Sequence, residues 1–126
     1  TTSVNLAACL GVLEKRVLLI DADPQANASS SLGVDPNGSH NGTYQCLEHQ
    51  LNALECIQKS SSPNVDVMPS HLDLVAAEIE LVDIEEREYC LKKSIQDIKS
   101  NYDYIIIDCA PSLGLITLNA LTASNS

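Results

Sequence analysis

The stretch RVLLIDAD, Arg16 to Asp23, places four aliphatic residues in a row and closes them with two acids one residue apart. An apolar run this short, without alternation, reads as a strand buried on both faces, as in the interior of a parallel sheet. YDYIIID, Tyr102 to Asp108, repeats the pattern, with an isoleucine run ended by an acid. VDVMPS, Val65 to Ser70, is a third and shorter strand, stopped by Pro69.

Helical patterns separate these strands. Thr1, Thr2 and Ser3 suit a helix start, and Val4, Ala7, Ala8 and Cys9 offer a face of small apolar residues. The helix is predicted over Thr1–Glu14, with Gly11 weakening it. Asp21–Gly42 is rich in Pro, Gly, Ser and Asn and reads as loop, with a helical turn around Asn27–Leu32. Tyr44, Leu47, Leu51, Leu54 and Ile57 recur at steps of three and four, which predicts helix over Thr43–Lys59 in two pieces. Ser60–Asn64 is a turn. Leu72–Asp83 and Glu85–Lys99 read as helices, the second with Leu91, Ile95 and Ile98 on one stripe. Leu115–Ser124 begins another.

The order α, β, α, β, α, β, α predicts an α/β domain over residues 1–126: a parallel sheet with helices on both faces. Three strands apolar on both faces make a thin sheet, so a partial domain is expected. The acidic run Asp73–Glu88, with seven acids and one Arg, reads as a solvated helix face.

Seventeen acidic against seven basic residues give a formal charge of −10, which argues against nucleic-acid binding through this segment alone. With four Tyr and no Trp or Phe, the core is aliphatic and base stacking is disfavoured. The five cysteines form no CxxC pair, and Cys9 and Cys109 sit in apolar stretches as small hydrophobes. A reduced, cytoplasmic chain is expected, since no apolar run matches a membrane span and no leader pattern is present.

Ligands of open α/β sheets bind beyond the carboxyl ends of the strands. Asp21 and Asp23 stand at one such end and Asp108 at another. If the two strands are neighbours, three carboxylates converge on a crevice suited to Mg²⁺, a hard cation that keeps several waters. The helix start at Thr1 offers free amides and a positive dipole end to an anion. Gln25 and Asn27, in DPQANAS, could hold a water or a phosphate oxygen. In CAPSLG, Pro111 stiffens the strand exit and Gly114 lets backbone come close to a ligand.

Taken together, TTSVNLAACL, KRVLLIDADPQANASSSLG, VMPSHLDLVAAEIEL and YDYIIIDCAPSLGLITLNALTAS resemble the ParA/Soj family of chromosome- and plasmid-partitioning ATPases, within the MinD-like P-loop group. The resemblance runs the whole length and is weakest over Asn37–Asn64. It implies a P-loop NTPase fold, ATP and Mg²⁺ as cofactors, and hydrolysis of ATP to ADP and phosphate. It also implies an ATP-bound homodimer, nonspecific DNA binding, a ParB/Spo0J-like activator, no membrane partner, and a cytoplasmic, nucleoid-associated location.

Residue by residue, the resemblance matches Thr1 and Thr2 to the last threonines of a phosphate loop, with Thr1 on the α-phosphate side. The loop's glycines and lysines are then expected before residue 1, and the DNA-contacting half beyond Ser126. The chain by itself is therefore expected to hydrolyse ATP poorly or not at all. Asp23 matches the acid that orients the attacking water. Asp21 matches the acid that helps order the Mg²⁺ shell. Asp108 matches the Walker B acid, holding Mg²⁺ largely through water. Pro111 and Ser112 match the switch loop that senses the γ-phosphate. Ala26 stands where the family usually has Gly, and Ala110 where it has the first Pro of a pair.

Two other readings share parts of the pattern. A MinD-like membrane-cycling ATPase would have the same architecture. A phospho-accepting receiver domain would also show VLLIDAD, although DPQANAS and APSLGLITLNAL fit it poorly. A cluster-ligating role for Cys109, as in reductase relatives, lacks a second matching Cys.

Overall fold

The computed structural model describes residues 2–35, 41–110 and 114–124. Among the described residues it has four strands: β1 (Val17–Ala22), β2 (Gln58–Lys59), β3 (Val65–Met68) and β4 (Tyr104–Cys109), in the order β2-β3-β1-β4. β3, β1 and β4 are parallel, as the alternation of elements predicts, and β2 pairs antiparallel with β3. The predicted helix over Thr43–Lys59 ends early. It divides into α3 (Thr43–Leu47) and a 3₁₀ turn at Ala53–Cys56, and its last two residues extend to become β2.

Every residue of β1 is buried, because it lies between two strands and under helices on both faces. β4 corrects the expectation of a second fully buried strand. It is the sheet's edge in this chain, so Ile105, Ile106 and Ile107 are half-buried and Tyr104 is exposed.

Side-chain alternation splits the core in two. Leu18, Ile20 and Ala22 of β1 and Met68 of β3 face one layer. That layer holds α3, the helical run Leu72–Asp83 with α4 (Ala77–Glu80) at its centre, α5 (Cys90–Ile95) and α6 (Leu115–Ala123). The Leu91, Ile95, Ile98 stripe is buried there, as its spacing requires. Val17 and Leu19 face the other layer, with Val65, Val67, α1 (Thr2–Val12) and α2 (Asn27–Ser31).

α1 presents Val4, Ala7 and Leu10 to the sheet. Cys9 points outward and is exposed, against the expectation that it packs as a small hydrophobe. Gly11 lowers the helix's intrinsic propensity, as expected, but the packing of α1 requires it. A Cβ there would strike the Pro63 carbonyl and press on Val65, so glycine is what lets the helix lie this close to β3. The contact also fixes direction. The C-terminal end of α1 sits at the start of β3, where Asn64 Nδ2 donates to the Gly11 carbonyl at 3.0 Å. At about 1.5 Å rise per residue, the helix runs back along the strands and opens its N-terminal amides at their carboxyl ends.

Candidate functional site

The parallel register aligns Asp21 of β1 with Asp108 of β4. Both follow the alternation of Val17, Leu19, Tyr104 and Ile106, so both carboxylates face the α1–α2 layer. Two acids from sequence positions far apart therefore stand side by side at one rim, the rim on which the α1 amides open.

Asp21 is fully buried and its carboxylate is turned into its own loop. Oδ1 accepts from the Asp23 amide at 3.1 Å, and Oδ2 from the Ser29 amide at 2.9 Å and the Ser29 hydroxyl at 2.6 Å. Burial pushes the carboxyl above its ordinary value, the Ser29 and Asp23 bonds pull the other way, and the neighbouring Asp108 charge adds to the rise. Asp23 is less buried. Its Oδ1 accepts from the Gln25 amide at 3.0 Å, a tight local turn that holds the carboxylate at the loop's mouth. Asp108 is half-buried, and among the described residues no donor occupies its carboxylate. The thiol of Cys109 is pushed up by burial first, then by the negative charges of Asp108 and Asp23.

The three acids share a rim but do not form a cage. Among the described residues no three His, Cys, Asp or Glu side chains converge closely enough to hold a metal ion alone. The expected cluster is corrected to this extent: Asp21 spends its oxygens on loop amides and Asp23 caps a turn. Asp108 keeps free oxygens beside a second carboxylate, a hard donor set whose mutual repulsion a divalent cation relieves. That fits Mg²⁺ bound mainly through water and phosphate.

Three hydroxyls that the sequence reading passed over complete the site. Ser29 Oγ donates to Asp21 and accepts from the Ser70 amide at 3.0 Å. Ser70 Oγ donates to the Asp23 carbonyl at 2.7 Å. Thr43 Oγ1 donates to the Asp21 carbonyl at 2.7 Å. All three residues are buried, so these bonds tie the ends of β1 and β3 into one polar network. The available signal was a Ser or Thr directly after a strand or at a helix start. Ala26, flagged as replacing a glycine, has φ of 56°, the left-handed conformation that glycine prefers.

Of the remaining candidates, Thr2 is exposed at the start of α1. Gln25 and Asn27 are exposed on the loop, with the Gln25 amide used as above. Gly114 admits an internal carboxylate, that of Glu78, where a ligand was expected. Thr1, Pro111 and Ser112 lie outside the described residues. Among the described residues no helix is long and apolar enough to cross a membrane.

A family model described as an AAA domain matches residues 1–126. The sporulation initiation inhibitor protein Soj of Bacillus subtilis is 51% identical over 126 residues, covering all of this chain and 50% of that protein. The chromosome partitioning protein ParA of Myxococcus xanthus is 44% identical over 126 residues, covering all of this chain and 44% of that protein. The chain spans about half the length of the curated relatives it matches. Among solved structures, a cobyrinic acid a,c-diamide synthase from Mycobacterium smegmatis with bound ATP analogue and magnesium superposes with TM-score 0.92 at 35% identity, over 98% of this chain and 50% of that one. A plasmid partition protein from Borrelia burgdorferi bound to AMPPNP superposes with TM-score 0.81 at 32% identity, over 98% and 53%.

Proposed function

The chain belongs to the AAA-domain family, among its ParA/Soj members, and from that premise we propose that it forms the Mg²⁺–ATP-binding part of a partitioning ATPase. Family membership removes the receiver-domain reading. The observation that carries the proposal is the register that sets Asp108 beside Asp21 at the rim where α1 opens its amides. Relatives of this fold solved with ATP analogues and magnesium support it.

In this reading, Asp108 would hold Mg²⁺ through its water shell, and the ion would supply positive charge against the phosphates. Asp21 acts on that shell through the loop, its own oxygens being engaged by Asp23 and Ser29. Asp23, at the loop's mouth, orients the water that attacks the terminal phosphate, and the products are ADP and phosphate. By the family resemblance, Thr1 and Thr2 would serve the α-phosphate side and Pro111 and Ser112 would sense the γ-phosphate; Thr1, Pro111 and Ser112 lie outside the described residues. Such reactions rest on positioning and charge stabilisation, which is what a rim of fixed carboxylates and helix amides supplies. An ATP-bound homodimer, nonspecific DNA binding on the nucleoid, and a ParB-like activator complete the cycle of the whole protein. The partitioning branch is favoured over a MinD-like one by the 51% and 44% identities to Soj and ParA.

Nuclear magnetic resonance titration of the chain with ATP, with and without Mg²⁺, tests this. Mg²⁺-dependent shifts at Asp21–Asp23 and at Asp108 are expected. A response confined to other parts of the chain would refute the site.

A further inference from the structure

We propose that Glu78 is a positioning residue for this rim: it holds the N-terminus of α6 and thereby fixes the end of β4 that carries Asp108. The inference rests on the nucleotide reading above, and its first half stands on geometry alone.

The opening amides of a helix have no intrahelical acceptor and carry partial positive charge. The residue before α6 is Gly114, which has no side chain to cap them. Glu78 does so from 37 and 38 residues away. The Leu115 amide donates to its Oε2 at 2.6 Å and the Ile116 amide to its Oε1 at 3.3 Å, so one carboxylate spans both. Glycine at 114 is what admits it, since a Cβ there would collide with both Glu78 oxygens.

The anchored end of α6 is also the end tied to Asp108. Thr117 Oγ1, in the first turn of α6, donates to the Ala110 carbonyl at 3.2 Å, two residues past Asp108. Farther along, Asn119 is buried and fixes α6 independently, accepting from the Leu91 amide at 3.0 Å and donating to the Arg87 carbonyl at 2.9 Å. Losing Glu78 therefore frees the end of the helix nearest the acids and leaves the rest seated.

α4, which carries Glu78, is itself well held. Ala77, with Leu74 and Leu81 at steps of three and four, is buried in the core. On the same short helix, Glu80 accepts from the Tyr44 hydroxyl at 2.6 Å, and Tyr44 adjoins Thr43, the residue bonded to the Asp21 carbonyl. α4 is thus a brace with one tie toward each strand end. Within the acidic run Asp73–Glu88, which reads as a solvated face, Glu78 is the member with a defined internal partner at the helix start.

The test compares the wild-type chain with Glu78→Ala, Glu78→Gln and Gly114→Ala by amide hydrogen exchange and by resonance shifts, before and after adding Mg²⁺ and ATP. Glu78→Ala and Gly114→Ala are expected to speed exchange at Leu115 and Ile116 by about tenfold or more, sparing Leu118–Ala123. Glu78→Gln keeps a neutral acceptor oxygen and is expected to restore most protection at Leu115. The shift response to Mg²⁺–ATP at Asp108–Ala110 is expected to fall about threefold or more in Glu78→Ala, with Asp21–Asp23 unaffected. Unchanged protection at Leu115 and Ile116 in both Glu78→Ala and Gly114→Ala overturns the anchor. Lost protection with an undiminished response at Asp108–Ala110 overturns the positioning role. A wild-type chain that shows the protection but no response to Mg²⁺–ATP anywhere overturns the nucleotide reading, and the positioning role with it, leaving the anchor as a measured fact.

Discussion

Asp21 and Asp108 are in-register neighbours on adjacent parallel strands, their carboxylates on the same face of the sheet. They are not equivalent. Asp21 is sealed under Ser29 and accepts three hydrogen bonds, whereas Asp108 is half-buried and, among the described residues, receives no hydrogen bond on its carboxylate. One acid organises the loop, and the proposed function assigns its neighbour to a cation. Asp108→Asn is therefore expected to abolish the Mg²⁺ dependence of ATP binding. Asp23→Ala, which removes a turn cap at the loop's mouth, is expected to leave binding within about threefold while removing hydrolysis in a full-length protein. Calorimetric titration with Mg²⁺–ATP, paired with a phosphate-release assay, separates the two.

Removing the hydroxyl of Ser29 takes a buried donor from Asp21 and an acceptor from Ser70. Ser29→Ala is expected to cost about 1–3 kcal/mol of stability, the range for leaving buried polar groups unsatisfied. The midpoint of urea unfolding reports it, and a change under about 0.5 kcal/mol would mean that the Ser29 bonds contribute little to stability.

Two glycine-related substitutions should move stability in opposite directions. Ala26 holds φ at 56°, so Ala26→Gly is expected to stabilise by about 0.5–1 kcal/mol. Gly11→Ala gains about 1 kcal/mol of helix propensity. Its Cβ, however, strikes a backbone carbonyl that cannot rotate away, and overpacking of that kind costs about 1–3 kcal/mol. The net effect of Gly11→Ala is expected to be destabilising. Thermal melts of the two variants beside the wild type give both signs at once.

The Tyr44–Glu80 tie should be visible as an alkaline pH dependence. The bond to the Glu80 carboxylate, helped by burial, pushes the Tyr44 hydroxyl up to about 12 from its ordinary value near 10. Above the ordinary value the unfolded chain loses this proton while the folded chain keeps it, so stability falls as pH rises toward the folded value. The contribution is complete below pH 10 and gone by about pH 12. Tyr44→Phe lacks the group, so the stability difference between wild type and variant is expected to shrink across that window. Denaturant unfolding at several alkaline pH values follows it.

Much of the fold was legible because its signals are local. The unalternating runs ending in Asp21 and Asp108 announced strands of a parallel sheet, and their final acids marked the rim on which the proposed site is built. β2 was not legible: two polar residues, Gln58 and Lys59, carry no period, and they extend because β3 offers a partner. Ser29, Ser70 and Thr43 are common residues in loop and helix-start positions, and what makes them part of the site is burial against the ends of β1 and β3. The cap from Glu78 was hidden in a charge run, its partner amides 37 and 38 residues away.

The sequence by itself determined the class of fold and the position of each acid along its strand, because apolar run length, chain order and turn chemistry act between near neighbours. Only the tertiary structure decided that β1 lies between β3 and β4, that Asp21 pairs with Asp108, and that Asp21 turns inward while Asp108 stays open. Strand order, register and the burial of a carboxylate depend on side chains that meet only when distant segments pack, and no single stretch of the chain contains both partners.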